Sequence, residues 1–256
     1  MAAAIFKAWF IDFEPVKAKS AGAKSFPSMP QPVFDAFPSS LVPAPNSPSG
    51  EIPKGWRVGV VGEEVEVVGG GTPSTSEPRY WDGTHCWATP KDLSKLDSPI
   101  LLNSERKITD SGLSGISSGL LPVGSLLLSS RAPIGYLALV RVPTAINQGF
   151  IGMRCTKLLS AEFMLHWSQE RMDDIKGRAN GTTFQEISKG SFRPMPIVVP
   201  DETTAKAFDS LVKPLYEMVA ANVKENGTLA ALRDSLLPKL LSGEVRVASV
   251  REGIAS

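Results

Sequence analysis

Ser125-Leu126-Leu127-Leu128-Ser129-Ser130-Arg131-Ala132-Pro133 and the run Tyr136 to Val142 that follows it decide how this chain folds. Each is a short apolar run bounded by Ser, Pro or Gly, the pattern of a strand ending in a turn. Working outward, Val58 to Val68 and Ile197 to Val199 have the same texture and read as further strands. Between Ser160 and Ile175 the pattern changes. Phe163, Met164, Trp167, Met172 and Ile175 fall roughly on one helical face, so a helix interrupts the strands. The central part of the chain is therefore mixed α and β.

The last third reads differently. Phe208, Leu211, Leu215, Met218, Leu229, Leu232 and Leu236 follow alternating three- and four-residue steps, a heptad seam on a long helix. Asn222 and Glu225 occupy the steps between, so the seam has a polar gap, with Gly227 just beyond. Pro214 is expected to start or kink this helix, and Pro238 with Gly243 to end it. The seam fits either an amphipathic helix on its own domain or a helix paired with another. A single Asn in such a seam can fix register and partner number.

At the other end, Ile5, Phe6, Trp9, Phe10 and Phe13 stand at helical spacing before Pro15, which predicts a short docking helix. From Ser20 to Pro53 the chain is rich in Pro, Ser and Ala and reads as a linker without regular pairing.

With 256 residues and 42% hydrophobic content, the chain can bury one sizeable core. It has no run of about 18 apolar residues, and its start is too short and interrupted for a signal sequence, so a cytoplasmic protein without a membrane span is expected. Two cysteines, Cys86 and Cys155, stand far apart, which argues against a disulfide framework or zinc site. The net charge is only +1, but residues 131–200 carry nine basic against five acidic groups. That local surplus suits a phosphate-facing surface.

Catalytic patterns are weak. Gly115-Ile116-Ser117-Ser118-Gly119 matches the hydrolase nucleophile elbow, but Leu120-Leu121-Pro122-Val123-Gly124 follows where a helix should begin. His166, the only histidine downstream, lies in a Trp-containing helical segment where a packed role is commoner. Gly69-Gly70-Gly71-Thr72-Pro73 lacks the Gly-Lys-Ser/Thr ending of a phosphate loop. No methyltransferase motif is visible, and no catalytic residue, metal site or cofactor is assigned. What the chain offers is polar residues on turns beside strands: Ser130 and Arg131, Asn147 and Gln148, Thr183, and Lys189. Arg can pair with guanine and Asn or Gln with adenine, while Ser, Thr and Lys suit phosphates. Each is equally a residue type that turns favour.

Taken together, these segments resemble the specificity subunit of type I restriction-modification systems, in particular its second half. The likeness runs through Gly69 to Ser74, Tyr80-Trp81, Trp87 to Leu93, Leu127 to Gly135, Asn147 to Phe150, Thr183 to Ser188 and Leu236 to Glu244. It implies an α+β architecture: one mixed α/β DNA target-recognition domain at 54–200 and a coiled-coil type spacer helix at 201–243, with a tail at 244–256. Residues 1–19 look like the end of a preceding spacer region, and 20–53 would be the linker. A spacer of about 25 helical residues would span roughly 38 Å, near one turn of DNA.

The resemblance further implies a non-catalytic reader of double-stranded DNA. Such a subunit docks on modification (methyltransferase) subunits and, through the complex, on the restriction (translocase and nuclease) subunit. A half-length form would pair with a second copy or another half-subunit through Leu211, Leu215, Met218, Asn222, Leu229, Leu232 and Leu236. The alternative is a truncated competitor that binds other subunits through its helix and reads no DNA.

Overall fold

The computed structural model describes residues 1–27, 29–181 and 185–245. Within it, Leu126 and Leu128 enter one hydrophobic cluster while Leu127, between them, enters another. Alternation at a period of two is what a strand imposes, and here both of its faces are covered. All five residues Ser125–Ser129 are accordingly buried.

Along the chain, α1 (Ala2–Phe6) passes into a π-helical turn at Lys7–Ile11, and α2 (Glu14–Ser20) and α3 (Gln31–Ala36) follow. Next come β1 (Leu41–Pro43), β2 (Glu51–Pro53), β3 (Arg57–Val60), α4 (Val61–Glu64), β4 (Glu66–Gly69) and β5 (Trp81–Ala88). The middle holds α5 (Pro90–Leu93), β6 (Ile100–Leu101), β7 (Arg106–Ile108), α6 (Asp110–Ser114), β8 (Ser125–Ser129) and β9 (Leu137–Val140). Then β10 (Thr144–Ile146), β11 (Phe150–Arg154), α7 (Ala161–Glu170), α8 (Met172–Gly177), α9 (Lys189–Phe192), β12 (Pro196–Val199) and α10 (Glu202–Leu241) complete it.

The central sheet has the order β4-β11-β8-β9-β6. One face, with Leu126, Leu128, Leu139, Ile151 and Met153, packs against Phe6, Phe10, Phe163 and Phe208 from α1, its π-turn, α7 and α10. The other face, with Leu127, Ala138, Val140 and Phe150, meets Ala88 and Ile146 of a second sheet, ordered β10-β5-β7. Two antiparallel pairs, β1-β2 and β12-β3, lie beside these layers. Some aromatic rings of the first cluster meet edge to face: Phe6 with Phe163 and Trp9 with Phe37, each at 5.0 Å.

Several expectations change. The stretch read as a linker is folded between Gln31 and Pro53: Phe34, Phe37 and Ile52 are buried, and the Lys19 ammonium donates to the carbonyls of Asp35 and Phe37 at the end of α3. Pro32 falls in the first turn of α3, and Pro43 and Pro53 at strand ends, where the backbone needs no donor. Composition hid this because a few aromatic anchors outweigh many turn residues.

Val58 to Val68 is two strands in different sheets, split by α4. Glu64 is buried there and accepts both guanidinium nitrogens of Arg57, at 2.7 and 2.8 Å. The segment Ser160 to Ile175 likewise breaks at Arg171 into α7 and α8.

Helix α10 begins at Glu202, with the Asp201 carboxylate accepting from the Thr204 amide at 2.9 Å. It runs through Pro214 and Pro238 to Leu241. Pro214 does not start it but lies inside it: Phe208 and Val212 before it, and Tyr216 and Val219 after it, all pack on the first cluster. The 40 residues span about 60 Å. From Lys224 to Val245 every side chain but Ala230 is exposed. The first half of the helix is thus part of the domain, and the second half stands free of it.

Candidate nucleic-acid interface

Four polar loops meet at one end of the two sheets. The Gly69 to Ser76 loop leaves β4 and crosses the end of β10, where the Gly71 amide donates to the Ile146 carbonyl at 2.9 Å. A Cβ on Gly70 would lie 2.0 Å from that same carbonyl oxygen, so only glycine permits this approach. The loop is pinned from below by two indoles: Trp87 Nε1 donates to the Gly71 carbonyl and Trp81 Nε1 to the Ser74 carbonyl, each at 3.0 Å.

The turn after β10 comes next. Asn147 Oδ1 accepts from the Gly149 amide at 2.9 Å, an Asx-type closure in which, among the described residues, its NH2 group has no partner. Gln148 is exposed, and its side-chain carbonyl accepts the hydroxyl of Thr72 from the neighbouring loop. The third loop follows β8: the Ser130 amide donates to the Gly149 carbonyl at 2.8 Å and its carbonyl accepts from Ile187 at 3.0 Å. Those two bonds stitch the 147–149 turn to the segment before α9.

Arg131 stands half-exposed on this third loop and faces Glu186 at 3.5 Å. An exposed pair of this kind is worth less than about 1 kcal/mol, so the guanidinium can change partners cheaply. Lys189 is exposed at the start of α9, with its ammonium beside Gly69. The structure therefore brings Ser130, Arg131, Asn147, Gln148 and Lys189 into one loop cluster. Ser130 itself is buried, so it fixes the loop through its backbone and does not present its hydroxyl at the surface. Thr183 lies outside the described residues.

Two cations that the sequence reading passed over join the cluster. Lys176 on α8 packs its chain against Gly135 of the Arg131 loop, and exposed Arg178 stands two residues before Asn180, which bridges to Glu186. The regional excess of basic residues was the signal for them, but only the packing of α8 on the loop shows where they gather.

The expected pairing residues of α10 divide. Leu211 packs on the domain's own first cluster and Leu215 is half-buried, whereas Met218, Asn222, Leu229, Leu232 and Leu236 are exposed. Leu211 thus serves the domain, because the first turns of the helix lie flat on α7.

The groups with chemical potential elsewhere are occupied structurally. Ser117 follows α6 and precedes an irregular stretch before β8, the reverse of the strand and helix that a nucleophile elbow needs. His166 is buried between Phe6, Phe208 and Tyr216, and burial holds its pKa below the ordinary value. Burial pushes the Cys155 thiol up to about 12. Among the described residues, no group of three or more His, Cys, Asp or Glu side chains is placed to hold a metal ion, and no helix is long and apolar enough to cross a membrane.

Cationic and amide side chains thus stand on converging loops, mounted on two packed sheets with a half-free helix. The family model described as the type I restriction modification DNA specificity domain matches residues 53–224, and the chain belongs to that family. It is 31% identical over 182 residues to the type I restriction enzyme MjaIX specificity subunit of Methanocaldococcus jannaschii, covering 70% of this chain and 42% of that protein. It is 24% identical to the HindI specificity subunit of Haemophilus influenzae, over 96% of this chain and 61% of that one.

Among solved structures, the HsdS subunit of Thermoanaerobacter tengcongensis aligns with a TM-score of 0.51 at 18% identity, over 94% of this chain and 57% of that chain. A chain from a structure of type I R-M complex assembly and conformational transition gives 0.51 at 19% identity, over 93% and 53%. Both likenesses concern the fold, including the long helix. The chain spans about half the length of the relatives it matches.

Proposed function

We propose that this chain is a non-catalytic DNA reader that recognises one half of an interrupted site through the loop cluster and directs methylation and cleavage carried out by partner subunits. The observation that supports this is the convergence of the Gly69–Ser76, Ser130–Gly135 and Asn147–Gly149 segments with Arg178–Gly181 and Gln185–Lys189, which gathers Arg131, Gln148, Lys176, Arg178 and Lys189. Arg131, Asn147 and Gln148 have the chemistry to read base edges. Lys176, Arg178 and Lys189 have that of phosphate contacts, and Thr183 joins them on sequence alone.

In this reading the exposed leucines of α10 pair with the same helix of a second copy or another half-subunit, setting two recognition domains on separated half-sites. The relatives' designation as restriction enzyme specificity subunits supports modification and restriction subunits as the partners.

Selection of duplex oligonucleotides with the purified chain, alone and with the modification subunit, tests the reading. Enrichment of one short motif is expected. Failure to enrich any motif in both settings overturns it and favours a competitor that acts through its helix alone.

A further inference from the structure

Outside the loop cluster, one cation is held in an unusual way. Arg106 opens β7 and lies directly opposite Trp87 of β5 in the antiparallel register. Its guanidinium carbon sits 3.5 Å from the centroid of the Trp81 ring and 5.6 Å from that of Trp87.

The two indoles meet edge on, with centroids 5.1 Å apart and planes at 82°. In a regular strand, residues six apart would be separated by about 20 Å. They meet because β5 is irregular here: Trp81 and His85 both stand opposite Ile108, and the residues between them loop out. Asp82 takes a φ of 59°, and a Cβ on Gly83 would come 2.4 Å from the Ile108 carbonyl oxygen. The bulge thus folds the strand back so that Trp81 lies beneath the arginine, with Trp87 edge-on against it.

The arginine does more than cover apolar surface. Arg106 is exposed although both indoles are buried, and the adjacent carboxylate of Glu105 is taken up by Lys91 and Lys95. Among the described residues the guanidinium makes no ion pair. An arginine seated on an indole face loses side-chain freedom before any ligand arrives, while its N–H donors stay available at the edge of the plane. It is also tied to the loop cluster: Trp87, its neighbour across the strands, holds Gly71, and Thr72 next in line holds Gln148.

We propose that Arg106 is a specificity-determining residue, a preorganised guanidinium that reads a guanine edge beside the base pairs met by the loop cluster. The inference rests on the DNA-reading function proposed above. A phosphate contact would need only charge at that place, whereas stacking fixes a plane, which is what a two-pronged base contact requires.

The test is oligonucleotide selection with wild type, Arg106→Lys and Arg106→Ala, each checked by thermal melting, with affinities measured on the enriched motif and on single-base variants. Wild type is expected to enrich a motif containing guanine. Arg106→Lys, which keeps the charge and most of the cover over the indoles, should lose preference at one base pair by about tenfold or more. Should Arg106→Ala unfold, the lysine variant decides alone. A motif kept unchanged while affinity falls equally on all sequences marks a phosphate contact and overturns the inference, as does unchanged binding with lowered melting temperature, which marks a structural cover. A wild type that enriches no motif removes the DNA-reading function itself.

Discussion

Tyr216 on α10 and His166 on α7 meet at 3.1 Å, Oη to Nε2, and this contact fastens the root of the long helix to the domain. His166 Nδ1 faces Gln169 Oε1 at 2.9 Å, so the proton sits on Nδ1 and Nε2 accepts the tyrosine hydroxyl. Phe6 and Phe208 close over the ring, and the chain's own N-terminal ammonium adds to the disfavour of a charged imidazole.

This arrangement gives a pH dependence of known sign. Burial, the largest cause, lowers the folded pKa of His166 below its unfolded value of about 6.5. The unfolded chain therefore binds the proton more readily, and the stability that neutral His166 contributes is present above that value and lost as pH falls through it toward the folded pKa. The urea midpoint should drop between pH 7 and pH 5, and His166→Gln should flatten that slope. Glu105 and Glu202, whose carboxyls neighbouring lysines hold below the ordinary 4.5, lose their contribution only at lower pH.

The two halves of α10 should respond oppositely to substitution. Phe208→Ala removes a fully buried ring from the first cluster and should destabilise the domain by about 3–5 kcal/mol in chemical denaturation. Leu229 and Leu232 are 54% and 51% exposed, so Leu229→Glu with Leu232→Glu should leave the domain's melting temperature within a few degrees. The same double change should weaken self-association in sedimentation by about tenfold or more, if about 1.4 kcal/mol of apolar contact is lost. A wild type that stays monomeric at high concentration, alone and beside the modification subunit, would remove the pairing role.

Glu64 carries a buried carboxylate whose two oxygens meet Arg57, and that hydrogen bonding raises the pKa of the arginine. Glu64→Gln leaves the second guanidinium nitrogen without its partner. Because Arg57 is more than half exposed, water replaces much of the lost contact, and a loss of about 1–2 kcal/mol is expected. Urea titration of the two proteins side by side measures it.

Adjacent glycines should separate close approach from mere flexibility. Gly70→Ala drives a methyl group into the Ile146 and Asn147 carbonyls, at 2.0 and 2.3 Å, and neither can retreat without moving β10. A loss of about 2 kcal/mol or more and a displaced Gly69 to Ser76 loop are expected. Gly71→Ala meets Ile116 at 3.8 Å, an ordinary contact, and should change stability by less than about 0.5 kcal/mol. Denaturation and DNA titration of both variants distinguish these outcomes.

The sequence by itself determined the strands around Leu127, Leu139 and Val198, the long helix carrying Phe208 to Leu236 and the polar turns at Arg131 and Gln148, because each is written in a local period or in turn chemistry. Family membership was legible in the same blocks. Only the tertiary structure decided that Phe34 and Phe37 turn a proline-rich stretch into a packed one, that Leu211 belongs to the domain while Leu229 stands free, and that Trp81 and Trp87 meet with Arg106 seated on Trp81. Those outcomes depend on which distant surfaces meet. Packing between residues far apart in sequence leaves no period to read, and a bulge that brings Trp81 to Trp87 erases the period that was there.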